Sequence, residues 1–336
     1  MNDLFRATSP VRRGPGRIRG WAALAAAGGC ALAGAAEEFP VRPVRLIVPF
    51  AAGGPADLVG RVFGQGLTEV WGRPVVVDNR AGASGVVGTD TALKANPDGH
   101  TILFGSTSTF AVNTILFRKL PYDFLRDATQ IGLVAIAPHV LAVRANLPAA
   151  TLAELIAAAK KQPGKLNNAT PGSGTIVHLS GELFKHQTGV DIVAIQFKGG
   201  GPATLGVMSG EADMVLNDLS TLQSHIRSGR LRVLAAAHAR RLPQLPETPT
   251  FAELGHPGVV SSTWWGVAVP AKTPQPVLRR IKAAYDQVLA RPEYRTRLSE
   301  LAIDPLSLSP EESATFIRAE IGKWGKVVKD ANIPLN

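Results

Sequence analysis

Three stretches of this chain carry the residue types that hold small anions. They are Phe50-Ala51-Ala52-Gly53-Gly54-Pro55-Ala56-Asp57, Ser106-Thr107-Ser108-Thr109 and Thr170-Pro171-Gly172-Ser173-Gly174-Thr175. Glycines let the backbone turn tightly and come close to a ligand. Pro55 suits a first helical turn, where its missing N–H is no loss. A helix start leaves N–H groups unpaired, and its dipole favours negative charge. Hydroxyls beside those N–H groups donate to the same carboxylate. The candidate ligand-binding residues are therefore Phe50, Ala52, Gly53, Gly54 and Asp57, then Ser106 and Thr107, then Gly172, Ser173, Gly174 and Thr175. Asp218, at a further polar strand end, completes the set. Ser173 and Thr175 read equally well as caps of their own helix. Asp57 and Asp218 would also greet an ammonium group, but an acid in a first helical turn is stabilising without any ligand. A plain carboxylate or dicarboxylate is the favoured ligand.

Other chemistries fit less well. Ser173 lies in Pro171-Gly172-Ser173-Gly174, which is not the G-x-S-x-G of an exported hydrolase. His178, five residues on, does not obviously face it and reads better as a packed or capping histidine. Gly82, Gly85 and Gly88 follow G-x-x-G-x-x-G rather than the dinucleotide spacing, and no acid ends the next strand. Close helix–sheet packing explains those glycines more simply. The histidines are scattered without metal-ligand spacing, and there is no P-loop. No enzyme, cofactor or metal is expected.

The elements that must position these loops alternate. Val44–Val48, Val75–Asp78 and Thr101–Gly105 are short apolar strands, each ending in a Gly-rich or hydroxyl loop and followed by a helical pattern. Alternation of this kind argues an α/β fold, a parallel sheet with helices on both faces, and ligands bind outside the carboxyl ends of its strands. A second set repeats the design. Ile131–Ala135 and Val140–Val143 read as strands on either side of a domain crossing at Pro138-His139. Thr151 and Glu154 form a capping box, and Leu166–Ala169 leads into the third anion-type loop. Val193–Phe197 runs into Lys198-Gly199-Gly200-Gly201-Pro202, again glycines before a helix start, and Ala212–Leu216 ends in Asn217-Asp218. In Trp264-Trp265, neighbouring strand residues face opposite ways, so at most one tryptophan faces a cleft. The expected domains are 37–139 plus 246–336, and 140–245.

The chain has 336 residues, 45% hydrophobic and 18% charged, enough for two globular domains. Of its net charge of +10, residues 1–36 hold +4, five arginines against Asp3. The remaining surplus suits anions only weakly, and with no arginine cluster among aromatics nucleic acid is not expected as a partner. Residues 1–36 read as a cleaved signal peptide, with an arginine n-region, an apolar Trp21–Ala35 run and a small-residue Ala33-Gly34-Ala35 site. Cys30, the only cysteine, falls inside it, in a poor lipobox. A periplasmic monomer is expected.

The opening Val41-Arg42-Pro43-Val44-Arg45-Leu46-Ile47-Val48-Pro49-Phe50, with Gly53-Gly54, Asp57 and Arg61, resembles the Bug (TctC-like) family. Val75–Arg80, Pro97-Asp98-Gly99-His100-Thr101, Lys198–Pro202, Leu242-Pro243, Glu247–Thr250 and Trp264-Trp265-Gly266 add to the likeness, which runs from about Phe39 to the C-terminus. The resemblance implies a type II-like periplasmic binding protein, two α/β domains joined by two crossings with a ligand cleft between them. It implies one carboxylate held between Phe50–Asp57 and Thr170–Thr175. Its implied partners are the membrane components of a tripartite tricarboxylate transporter or, alternatively, a sensor kinase. Phe197 stands where the family often has tyrosine, so a hydroxyl near the cleft is expected to be missing.

Overall fold

The computed structural model describes residues 39–335. The expected export signal, its cleavage site and Cys30 lie outside the described residues. The first half runs β1 (Val44–Val48), α1 (Pro55–Trp71), β2 (Val75–Asn79), α2 (Val86–Leu93), β3 (Thr101–Ser106), α3 (Asn113–Leu116), α4 (Phe124–Asp127) and β4 (Ala128–Arg144). There follow α5 (Leu152–Lys161), β5 (Asn167–Thr170), α6 (Ile176–Thr188), β6 (Val193–Gln196), α7 (Gly200–Ser209), β7 (Met214–Asp218), α8 (Leu219–Arg227) and β8 (Leu231–Ala236). The chain returns through β9 (Ser262–Pro270), α9 (Gln275–Ala290), α10 (Pro292–Glu300), β10 (Asp304–Pro305) and α11 (Pro310–Asp330).

Local chemistry explains most of these bounds. In β1 only Arg45 is exposed, the continuous apolar run that a parallel strand covered on both faces requires. Pro55 opens α1, and Gly72, at φ +61°, ends it in the left-handed region. Val59, Phe63 and Leu67 form its buried face, each contributing about 1.5–3 kcal/mol by leaving water. Leu58, which looks like part of that face in the sequence, is 37% exposed. Gly60 and Gly64 sit on the sheet instead; a Cβ at Gly60 would already lie 3.0 Å from Val48. The Thr151–Glu154 capping box is present, and Ser309–Glu312 forms a second one at the start of α11.

The strands form one path, β2-β1-β3-β9-β4-β7-β5-β6, with β8 and β10 also paired to β4. The outer groups β2-β1-β3 and β6-β5-β7 are parallel, as alternation predicts. The centre differs from an all-parallel expectation, because β9 runs antiparallel to both β3 and β4, and β4 antiparallel to β7 and β8. These are the strands that carry the chain out and back, so they oppose one another. The expected pair of strands around Pro138-His139 is a single strand, β4. It pairs with β9 through Pro138 and with β7 from His139 onward. Pro138 is tolerated because it stands at that handover, where one ladder ends and the missing N–H is not needed.

Each sheet half is covered on both faces. α1, α9 and α10 pack on one face of the β1–β3–β9 half around Phe63, Tyr285 and Trp265. α2 and α11 cover the other around Phe110, Trp264 and Ile317. The β5–β7 half is lined by Leu155, Phe184 and Leu216 on one side and Ala203, Val215 and Leu222 on the other. α6 also packs against α11, through Ile176, Leu179 and Trp324. No helix among the described residues is long and apolar enough to cross a membrane.

Gly88 shows the packing role of its glycine group. A Cβ there would lie 2.6 Å from the Arg80 carbonyl and 2.7 Å from the Pro49 Cα, both backbone. Gly88→Ala is predicted to destabilise the fold by about 1–3 kcal/mol through overpacking, read from the midpoint of urea unfolding.

Candidate functional site

The carboxyl ends of β1, β3, β5 and β7 surround a cavity of about 280 Å³. Phe50 to Ala56 form one wall, and Ser106 and Ser108 extend it. Pro171, Thr175, Ile176 and Val177 face them. Lys198 to Pro202 form a third side, and Asn217, Asp218, Thr263 and Trp265 close the base. Trp265 lines the cavity while Trp264 is buried in the neighbouring core, donating its indole N–H to Glu320 Oε2 at 3.2 Å. That is the alternation expected of adjacent strand residues.

Three helices, α1, α6 and α7, begin at this cavity. Gly54, Ala56, Val177, Gly200 and Gly201 line it, and their backbone N–H groups find no acceptor among the described residues. Five unpaired donors at three positive helix ends make an anion site without requiring a cationic side chain. Lys198 adds a full positive charge at the rim. Phe50, Ile176, Val177 and Trp265 supply apolar wall between the polar positions.

Of the residues singled out in the sequence, Phe50, Ala52, Gly53, Gly54, Ser106, Thr175 and Asp218 line the cavity. Asp57, Thr107, Gly172, Ser173 and Gly174 stand behind it and brace it. Asp57 Oδ2 accepts from the Gly53 N–H at 2.9 Å and from Arg61 Nε at 3.0 Å, tying the loop back onto its own helix. Asn79 holds the same loop by donating to the Phe50 carbonyl at 3.1 Å. Thr107 Oγ1 accepts from the Trp264 N–H at 2.9 Å. The Ser173 carbonyl accepts from Ser84 Oγ at 2.6 Å. The Gly174 N–H donates to His178 Nδ1 at 3.4 Å, so that histidine braces the turn. Thr175 lines the cavity and also caps α6. Its hydroxyl donates to the Gly172 carbonyl at 2.8 Å and accepts from the His178 N–H at 3.3 Å.

Lys198, Gly200, Gly201, Asn217, Thr263 and Trp265 were not among the sequence candidates. Glycines before Pro202 were a visible signal for the first three, since they repeat the pattern of Gly53-Gly54-Pro55. Phe197 does not reach the cavity. Its ring lies against α7, where a Cβ on Gly206 would come within 2.3 Å of it, and it lines a separate surface depression with Leu205 and Met208. Lys198, the next residue, lines the cavity instead. Among the described residues no group of three His, Cys, Asp or Glu could hold a metal ion.

Burial pushes the Asp57 carboxyl up, but the hydrogen bonds from Arg61 and Gly53, with the Arg61 charge, outweigh it and hold the carboxyl below its ordinary range. A depressed folded-state value contributes stability that is present above the unfolded value and lost as pH falls through the folded one. Stability should therefore decline below about pH 4. Asp57→Asn should flatten that acid limb, as read from urea midpoints between about pH 2 and 6.

The comparisons agree with this geometry. The model of the family described as "Tripartite tricarboxylate transporter family receptor" (TctC) matches residues 59–333. The protein BugT of Bordetella pertussis is 35% identical over 311 residues, covering 92% of this chain and 95% of that one. The solved structure of R. palustris Rpa4515 with adipate superposes with a TM-score of 0.84 at 33% identity, covering 88% of this chain and 99% of the other. MatC (Rpa3494) from Rhodopseudomonas palustris with bound malate gives a TM-score of 0.81 at 31% identity, covering 86% and 100%. The resemblance read from the sequence, the two-lobed fold with its cleft and the non-enzymatic class all stand on these matches. The chain belongs to the TctC (Bug) family of periplasmic solute-binding proteins.

Proposed function

We propose that this chain captures a small carboxylate, a dicarboxylate, tricarboxylate or related organic acid, in the cavity between its two lobes. It then presents the ligand to the membrane components of a tripartite tricarboxylate transporter. The observation that carries this reading is the set of five unpaired N–H groups, from three helix starts, lining one cavity. Such an array recognises an oxyanion by direction as well as charge. The apolar patches between the donors accommodate a hydrocarbon backbone. Adipate in one structural relative and malate in another support the same ligand class. In this reading residues 1–36 direct export to the periplasm. The lobes, 37–139 with 246–336 and 140–245, close on the ligand by bending at β4 and at the return crossing.

A ligand that binds only the folded state must raise the melting temperature, by about 2.7 kcal/mol of stability at a hundred times Kd. The purified chain, refolded from denaturant to strip any retained ligand, is expected to melt higher with at least one small carboxylate and unchanged with the matching amides. A rise with the amides and not the acids would overturn the assignment. Gly54→Val places bulk against the cavity at a position whose φ of −81° suits any residue. A Cβ there meets nothing closer than the Ala51 carbonyl at 3.5 Å. Calorimetry should find carboxylate affinity reduced at least about tenfold, or 1.4 kcal/mol, in a variant that melts within a few degrees of the parent.

A further inference from the structure

The cavity carries two full charges that do not answer each other. Lys198 stands at its rim and Asp218 in its base, and no ion pair within 4.0 Å joins them. Asp218 is only 4% exposed. Its backbone is satisfied. The N–H donates to Asn217 Oδ1 at 2.8 Å, and the carbonyl accepts from Thr221 Oγ1 at 2.7 Å. Its carboxylate is not. Neither oxygen accepts a hydrogen bond from the described residues, and Oδ1 is sealed from solvent.

The titratable group nearest Oδ1 is His139, whose Nε2 lies 3.3 Å away. His139 is fully buried where β4 passes between sheet partners. Its Nδ1 lies 3.0 Å from Ser180 Oγ and 3.1 Å from Ser261 Oγ, and its Nε2 3.0 Å from Thr263 Oγ1. The Ser180 hydroxyl donates to the Ile176 carbonyl at 2.9 Å. The ring makes no hydrogen bond to Oδ1, which is left without a partner among the described residues. Beside the carboxylate, Asn217 Nδ2 is a buried donor without a partner.

A buried, unanswered carboxylate is costly unless something cationic or richly donating meets it. We propose that Asp218 reads an ammonium group on the ligand. The cavity takes an amino-substituted carboxylate, with its carboxylate on the unpaired N–H groups, Lys198 and Asn217 Nδ2, and its ammonium on Asp218. The inference rests on the carboxylate-binding reading and narrows it. An ammonium brings a full charge and three donors, whereas a hydroxyl brings one donor and no charge. Asp57 is no rival, since its Oδ2 is already engaged by Gly53 and Arg61. Of the two acids that the sequence offered to an ammonium group, the structure leaves only Asp218 without a hydrogen bond to its carboxylate.

The test is calorimetry of the stripped protein with acids matched in skeleton: succinate, malate and aspartate; glutarate, 2-hydroxyglutarate and glutamate; propionate, lactate and alanine. In at least one series the amino acid should bind tenfold or more tighter than both counterparts. Asp218→Asn should remove that preference by weakening the amino acid at least tenfold more than the unsubstituted acid of the same skeleton. A thermal melt checks that the variant folds, and Asp218→Ser takes its place if it does not. Binding of unsubstituted or hydroxy acids as tight as that of the amino acids would overturn this inference alone. So would an amino preference that survives the substitution. No binding by any acid to a folded chain would overturn the carboxylate reading as well.

Discussion

A helix start leaves its first N–H groups without intrahelical partners, and hiding them from water unpaired costs about 1–3 kcal/mol each. This structure brings three such starts to one cavity. Much of its surroundings serves to hold them there while leaving chosen donors free. Asp57 and Asn79 pin the first loop from behind, so that Gly54 and Ala56 stay open. At α6, Ser108 Oγ takes the Ile176 N–H at 3.1 Å and Thr175 takes that of His178, which leaves Val177. At α7 the Gly199 N–H goes to the Pro171 carbonyl at 3.2 Å, which leaves Gly200 and Gly201. Each wall gives up some donors to its own support.

The walls stay in register because β4 is continuous. One strand serves β9 with its first part and β7 and β8 with its last, so the two parallel groups share a spine. At the handover three chain segments meet. The His139 N–H donates to the Ser261 carbonyl, the Ala237 N–H to the His139 carbonyl, and the Ser261 N–H to the Ala237 carbonyl. The imidazole of His139 ties the same point to α6 and to the cavity base through Ser180 and Thr263. Away from the spine, Ser84 Oγ donates to the Ser173 carbonyl, the Ile176 N–H donates to Ser108 Oγ, and α6 packs against α11.

Much of the site was legible because strand–glycine–helix units are local. Gly53-Gly54-Pro55 and Thr170–Thr175 announced two helix starts, and Gly199–Pro202 repeated the first pattern. Phe50, Gly54, Ser106 and Asp218 do line the cavity. What was not legible depended on partners far away in the chain. Nothing near Ser173 says that its carbonyl meets Ser84, 89 residues earlier. Nothing near Phe197 says that its ring turns to Gly206 and leaves the cavity to Lys198. The antiparallel centre was missed for a similar reason, since strand direction follows from how the chain returns and not from the strand's own residues.

The sequence by itself determined the elements, their caps and the family. Capping boxes, proline at a first helical turn and glycine in the left-handed region act within a few residues, so composition and spacing suffice to specify them. Only the tertiary structure decided which donors remain unpaired and which acid is left unanswered. Those are properties of the space between elements. Asp57 and Asp218 look alike as letters, but Arg61 and the Gly53 N–H reach the carboxylate of the first, and no hydrogen bond from the described residues is made to that of the second.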